Sequence, residues 1–167
     1  MVYKNDVIVC DDDFAIVAVL DTILLSYEIP VRAITESRYL LTTIMAECPK
    51  LLIIDLWMPV VSGDQIIYEL RGDPAFNDLI ILCISASIDG REIAMQAGAD
   101  MAATSVHKLG GSMTQSSVLN VNTRNGYINP KRVQTVISML TTTSTSYILL
   151  ASLDTARRQL ALNGYAM

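Results

Sequence analysis

A chain of 167 residues, 51% of them hydrophobic and with a formal net charge of -5, is long enough for one compact domain plus an appendage and for a well-buried core. Its acidic balance, with no Lys/Arg cluster beyond the pair Arg157-Arg158, argues against nucleic-acid binding, because a phosphate backbone selects clustered cations. Cys10, Cys48 and Cys83 lack metal-ligand or C-x-x-C spacing, and neither a signal segment nor an apolar run of spanning length is evident; a cytoplasmic protein that does not engage a membrane is expected.

The first two-thirds of the chain alternates strand-like and helix-like segments. A β-branched run, Asp6 to Cys10, ends in Asp11-Asp12-Asp13, and Phe14 to Tyr27 has Val17, Leu20 and Leu24 at helical spacing behind an aspartate able to cap it. Pro30 precedes a second short strand, Val31 to Ile34, and Thr35-Glu36-Ser37 opens a helical stretch that stops before Pro49. Leu51 to Ile54 is a continuous apolar run, as a strand buried on both faces requires, and Asp55 closes it. Leu56 to Gly63 reads as a loop and Asp64 to Leu70 as a helix. A fourth strand, Leu79 to Ile84, ends at Ser85-Ala86-Ser87, a helix over Arg91–Ala97 follows with Gly98 as its left-handed C-terminal residue, and Met101 to Val106 is the fifth strand. Beyond it the texture turns polar. Val118 to Val121 reads as a strand, Asn125-Gly126 as a tight turn in a hairpin from Ser116 to Ile128 that either protrudes or extends a sheet edge, Pro130 as the first turn of a helix to Leu140, and Ser146 as the cap of a longer helix ended by Asn163-Gly164.

Strands alternating with helices predict an α/β fold with a parallel sheet covered on both faces, whose functional groups gather beyond the strand carboxyl ends. Asp11, Asp12, Asp55 and Ser85 all fall at such ends. Three carboxylates brought together are costly unless a cation neutralises them or one stays protonated, and Mg²⁺, a hard ion with oxygen ligands, suits them. Phosphoryl transfer to Asp55 would use that charge, with the Ser85 hydroxyl available to a phosphoryl oxygen.

On Val9 to Asp13, Ile53 to Pro59 with its Asp-x-x-Met-Pro pattern, Ser62-Gly63, Cys83 to Ala86 and Ala97 to Asp100, residues 6 to about 104 resemble the receiver domain of bacterial two-component response regulators. The resemblance implies a flavodoxin-like, doubly wound, five-stranded parallel sheet. It implies Asp55 as phosphoacceptor, Asp11 and Asp12 as Mg²⁺ ligands together with the Trp57 backbone carbonyl, Ser85 as the hydroxyl that reorients, and a sensor histidine kinase or phosphotransfer protein as partner. Such a receiver phosphorylates itself and is not otherwise an enzyme. Two positions depart from the pattern: Ser105 stands where receivers carry a lysine, and Ala102 where an aromatic usually lies. Lys108 is the nearest candidate for a substitute cation.

From Ala102 to about Leu162 the chain resembles instead the large domain of the pyridoxal-phosphate-dependent ornithine/lysine/arginine decarboxylases, on Ser105 to Gly111, Thr114 to Ser117, Thr141 to Ser144, Ser146-Tyr147 and Ala151 to Asp154. In that family Lys108 would hold the cofactor as a Schiff base, with Ser105 and His107 near its phosphate and ring. The acidic and stacking partners that such a site needs are absent upstream, where receiver-like sequence stands. The expected organisation is a receiver over 1–104 and a decarboxylase-like segment over 105–167 that completes or extends the fold, as in a chimera joined near Gly98-Ala99-Asp100. The alternative function is a chimeric or structural protein on a receiver scaffold with impaired switching.

Overall fold

The computed structural model describes residues 6–87, 89–105, 112, 116–123, 126, 128–140 and 146–163. Six strands form one sheet: β1 (Val7–Cys10), β2 (Val31–Ile34), β3 (Leu51–Asp55), β4 (Ile80–Ser85), β5 (Met101–Ser105) and β6 (Ser117–Val121), in the order β2-β1-β3-β4-β5-β6. The first five are mutually parallel, with Cys10 level with Ile34 and Ile54, and Asp55 level with Ile84. Among the described residues the α-helices are α1 (Phe14–Ser26), α2 (Leu40–Glu47), α3 (Gly63–Gly72), α4 (Gly90–Ala97), α5 (Pro130–Leu140) and α6 (Tyr147–Asn163).

Alternation along each strand divides the core in two. Ile8, Cys10, Leu52, Ile54, Ile81, Cys83 and Ala102 pack with Leu40 and Ile44 of α2, Ile66, Ile67 and Leu70 of α3, and Ala94 of α4. On the other face Val7, Val9 and Ile53 meet Val17 of α1, with Leu20 and Leu24 alongside. Local signals set the helix ends as expected. The Asp13 side chain accepts from Ala15 N–H (2.8 Å), Gly98 closes α4 at φ 106, and Ser146 Oγ accepts from Leu149 N–H (3.4 Å).

The sheet carries a sixth strand that the parallel five-stranded expectation lacks. Val118 to Val121 does form a strand, and it pairs antiparallel with β5, Ser105 opposite Ser117 and Met101 opposite Val121, so it extends the sheet edge, the second of the two expected placements. This reversal returns the chain to the amino-terminal end of β5. Helix α5 leaves Val136, Ile137 and Met139 exposed, and α6 buries Ala156 while exposing Ile148 and Leu162. Among the described residues no helix is long and apolar enough to cross a membrane.

At the amino-terminal end of the sheet, opposite the carboxylates, Arg71 fastens three elements. Its Nε donates to Gly98 O (2.9 Å), Nη1 to Phe76 O (3.1 Å) and Leu79 O (3.0 Å), and Nη2 to Asp100 Oδ2 (2.7 Å), which also accepts Ile81 N–H (2.8 Å). The Asp100 side chain is 3% exposed. Removing the fork leaves a buried carboxylate without its cation and takes a donor from Gly98 O and Leu79 O, while Phe76 O keeps Leu79 N–H, so Arg71→Ala is expected to cost about 3–4 kcal/mol in urea unfolding. Arg71→Lys should recover little, because an ammonium cannot span those acceptors.

Candidate functional site

At the carboxyl edge of the sheet, β1 delivers Asp11 and Asp12, and β3 delivers Asp55. A backbone N–H two residues on orients two of these carboxylates: Asp13 N–H donates to Asp11 Oδ1 (2.8 Å) and Trp57 N–H to Asp55 Oδ2 (2.8 Å). Asp11 is 4% exposed, whereas Asp12 faces solvent. Burial pushes the Asp11 carboxyl above its ordinary range, and the charges of Asp55 and Asp12 push the same way, against the hydrogen bond from Asp13. The same field reaches the thiols behind the site: burial, then Asp11, Asp55 and Asp12, raise Cys10 to about 12, and burial, then Asp55 and Asp64, raise Cys83 to about 12. Both cysteines are buried and Cys48 is exposed. They are core residues, held as thiols.

The β3–α3 loop alternates inward and outward. Leu56 and Met58 are buried, with Cys10 Sγ–H toward Met58 Sδ (3.5 Å), while Trp57 is 55% exposed. At the end of β4, Ser85 is buried; its Oγ accepts Ser87 N–H (3.1 Å) and lies so close beneath Gly90 that a Cβ there would stand 2.3 Å from it. Ser105 ends β5 half-buried, two strands from Asp55. Lys108 and His107 lie outside the described residues, so the placement of the substitute cation does too.

The fold therefore gathers Asp11, Asp12, Asp55 and the Trp57 backbone. Among the described residues no three His, Cys, Asp or Glu side chains stand so that they could hold a metal ion by themselves, so an ion here would need backbone or water ligands as well. An open edge with one buried and one solvent-facing carboxylate suits Mg²⁺ better than a cage does, since that ion keeps several waters and binds through one or two carboxylates. Burial is the first cause of the raised Asp11 pKa, and a cation would offset only the smaller part that the neighbouring carboxylates add.

A pH effect follows. The folded chain holds the Asp11 proton more tightly than the unfolded chain does, so it binds more protons between the ordinary value of 3.8 and the raised one. Metal-free stability from this group is lowest above that window, rises as pH falls through it, and is complete below 3.8. Asp11→Asn should remove this dependence and stabilise the metal-free protein at neutral pH by about 1 kcal/mol. Urea unfolding with a chelator at several pH values checks it.

Sequence reasoning named the carboxylates but missed Ser37, whose hydroxyl bridges the β3–α3 loop from 22 residues upstream, and Gly63, whose missing Cβ admits the Asp55 carbonyl. Ser62-Gly63 stood in the recognisable pattern without a physical role attached; Ser37 had no local signal at all.

Two family descriptions match the chain: a response regulator receiver domain over residues 7–104, and an Orn/Lys/Arg decarboxylase major domain over residues 75–165. The second begins well before Ala102, so β4, α4 and β5 fall under both. The chain is 79% identical over 71 residues to an arginine decarboxylase of Halalkalibacterium halodurans, which is 42% of this chain and 14% of that protein. It is 29% identical over 85 residues to protein RcaC of Microchaete diplosiphon, 51% of this chain and 13% of that protein. It thus spans a small fraction of the length of these curated relatives. The receiver domain of a Francisella response regulator matches at a TM-score of 0.54 and 24% identity, over 59% of this chain and 81% of that one, which shows the shared flavodoxin-like fold.

Proposed function

Since the chain belongs to the response regulator receiver family over residues 7–104 and to the Orn/Lys/Arg decarboxylase major-domain family over residues 75–165, we propose that it acts as a receiver that accepts a phosphoryl group on Asp55. The observation that carries this is the placing of Asp55 at the end of β3, oriented by Trp57 N–H and beside the buried carboxylate of Asp11. Asp11, Asp12, Asp55 and the Trp57 carbonyl would hold Mg²⁺, which supplies positive charge to the phosphoryl oxygens. The donor class is a phosphohistidine on a kinase or phosphotransfer protein. An Asp55 carboxylate oxygen forms the new O–P bond as the N–P bond breaks, and the imidazole leaves with the electron pair and takes up a proton. Ser85, released from Ser87 N–H, offers its hydroxyl to a phosphoryl oxygen. Incubation with a small acyl-phosphate donor, with and without Mg²⁺, tests the reading by intact mass. A gain of one phosphoryl group only with Mg²⁺ is expected, and no gain under any condition would end it.

A second reading, acceptance without switching, is favoured by one observation. Ala102 is 1% exposed within the core and Ser105 ends β5, where a receiver would carry an aromatic and a lysine. Comparing amide exchange with and without a phosphoryl mimic separates the two: protection changes confined to the Asp55 edge favour the scaffold reading, and changes reaching α4 and β5 favour a working switch. The decarboxylase-like segment from residue 105 onward serves in either reading to complete the sheet edge.

A further inference from the structure

The acceptor loop is held at one end by its buried residues, Leu56 and Met58, and at the other by α3. Between them Pro59, Val60 and Val61 form a three-residue turn: Val61 N–H donates to Pro59 O (3.0 Å), with Val60 at φ 73. A β-branched residue at positive φ is a strained backbone, and a γ-turn of this hand is rare. Val60 is 80% exposed, so its own side chain has little packing to offset that strain. What spans the turn is Ser37, at the end of the β2 segment. Its Oγ–H donates to Pro59 O (2.8 Å) and its Oγ accepts Val61 N–H (3.3 Å), so one hydroxyl closes both sides of the turn. Ser37 is itself 6% exposed, which excludes most competing water.

We propose that Ser37 is a positioning residue for the acceptor site: its hydroxyl holds the Pro59–Val61 turn in its strained form, and the turn in turn sets the Trp57 peptide whose N–H grips Asp55. The metal part of this inference rests on the proposed acceptor reading; the turn itself does not. Trp57 is the sole tryptophan of the chain, and it sits two residues before the turn, so its emission reports the loop directly.

The experiment compares the full chain with Ser37→Ala, Ser37→Thr and the double variant Ser37→Ala/Val60→Gly. Without metal, acrylamide should quench Trp57 faster in Ser37→Ala than in wild type, while Ser37→Thr, which keeps the hydroxyl, stays near wild type. Mg²⁺ titration should show affinity about 10-fold weaker in Ser37→Ala, the usual scale for losing a group that orients a ligand. Val60→Gly should return part of that loss, since glycine takes φ 73 without strain. A purely structural serine would lower the melting temperature without this pattern of hydroxyl rescue and glycine recovery. Ser37→Cys, close in volume but a weak donor, should shift quenching the same way and stands in if the alanine variant loses its fold. Unchanged quenching in a folded Ser37→Ala or Ser37→Cys variant overturns the proposal. A wild-type protein that binds no Mg²⁺ and takes no phosphoryl group instead ends the acceptor reading, and the quenching comparison still decides the role of Ser37.

Discussion

Asp55→Asn is expected to abolish phosphoryl labelling by an acyl-phosphate donor and at the same time to make the metal-free protein more stable. The amide keeps the shape of the side chain and an oxygen that can still accept Trp57 N–H, so the loop has no reason to move. It cannot form an acyl phosphate. It also removes one of the charges that push Asp11, Cys10 and Cys83 toward their protonated forms, and relief of like-charge crowding at a buried edge is worth about 1 kcal/mol. Loss of label with a gain in urea midpoint separates removal of the acceptor from simple unfolding. Labelling that persists in this variant would place the acceptor elsewhere and sink the reading.

The second large effect is expected at Gly63. A Cβ there would stand 2.2 Å from the Asp55 carbonyl oxygen and 3.1 Å from both Asp55 C and Leu56 Cα. These are backbone atoms of the acceptor strand, so no rotamer relieves the clash; either α3 lifts or the end of β3 bends. Gly63→Ala should therefore cost about 2–3 kcal/mol, the upper range for overpacking, despite alanine being the better helix former. Labelling of Asp55 should fall with it, because the carboxylate and the Trp57 peptide follow that backbone. Gly72, in the last turn of the same helix, has open space around its Cα. Gly72→Ala should raise stability by about 0.5–1 kcal/mol through helix propensity alone. If the two alanines behaved alike in urea unfolding, close approach at Gly63 would not be the cause.

Much of this molecule was readable before its fold was seen, and the reason is local. β1 and β3 are apolar runs closed by aspartates, and Asp13, Gly98, Pro130 and Ser146 each act on backbone within a few residues of themselves. The carboxylates Asp11, Asp12 and Asp55 were legible for the same reason: they sit where strands stop. What escaped depends on groups far apart in the chain. Nothing near Arg71 marks it as the partner of Phe76, Leu79, Gly98 and Asp100, and nothing near Ser37 marks it as the partner of Pro59 and Val61. For β6 the sequence left protrusion and edge extension open, because strand periodicity gives neither partner nor direction.

The Arg71 fork bears on how such a chain can arise. Its donor sits in α3, before the decarboxylase match begins, while Gly98 and Asp100 lie in the stretch that both family descriptions cover. Donor and acceptors thus straddle the start of that match, at the end of β5 opposite the carboxylates. A join upstream of Gly98 would keep the fork, because the downstream chain brings the carbonyl and the carboxylate that the arginine requires. Continuations of quite different descent should be tolerated there, provided they enter through a glycine at positive φ and an aspartate two residues on.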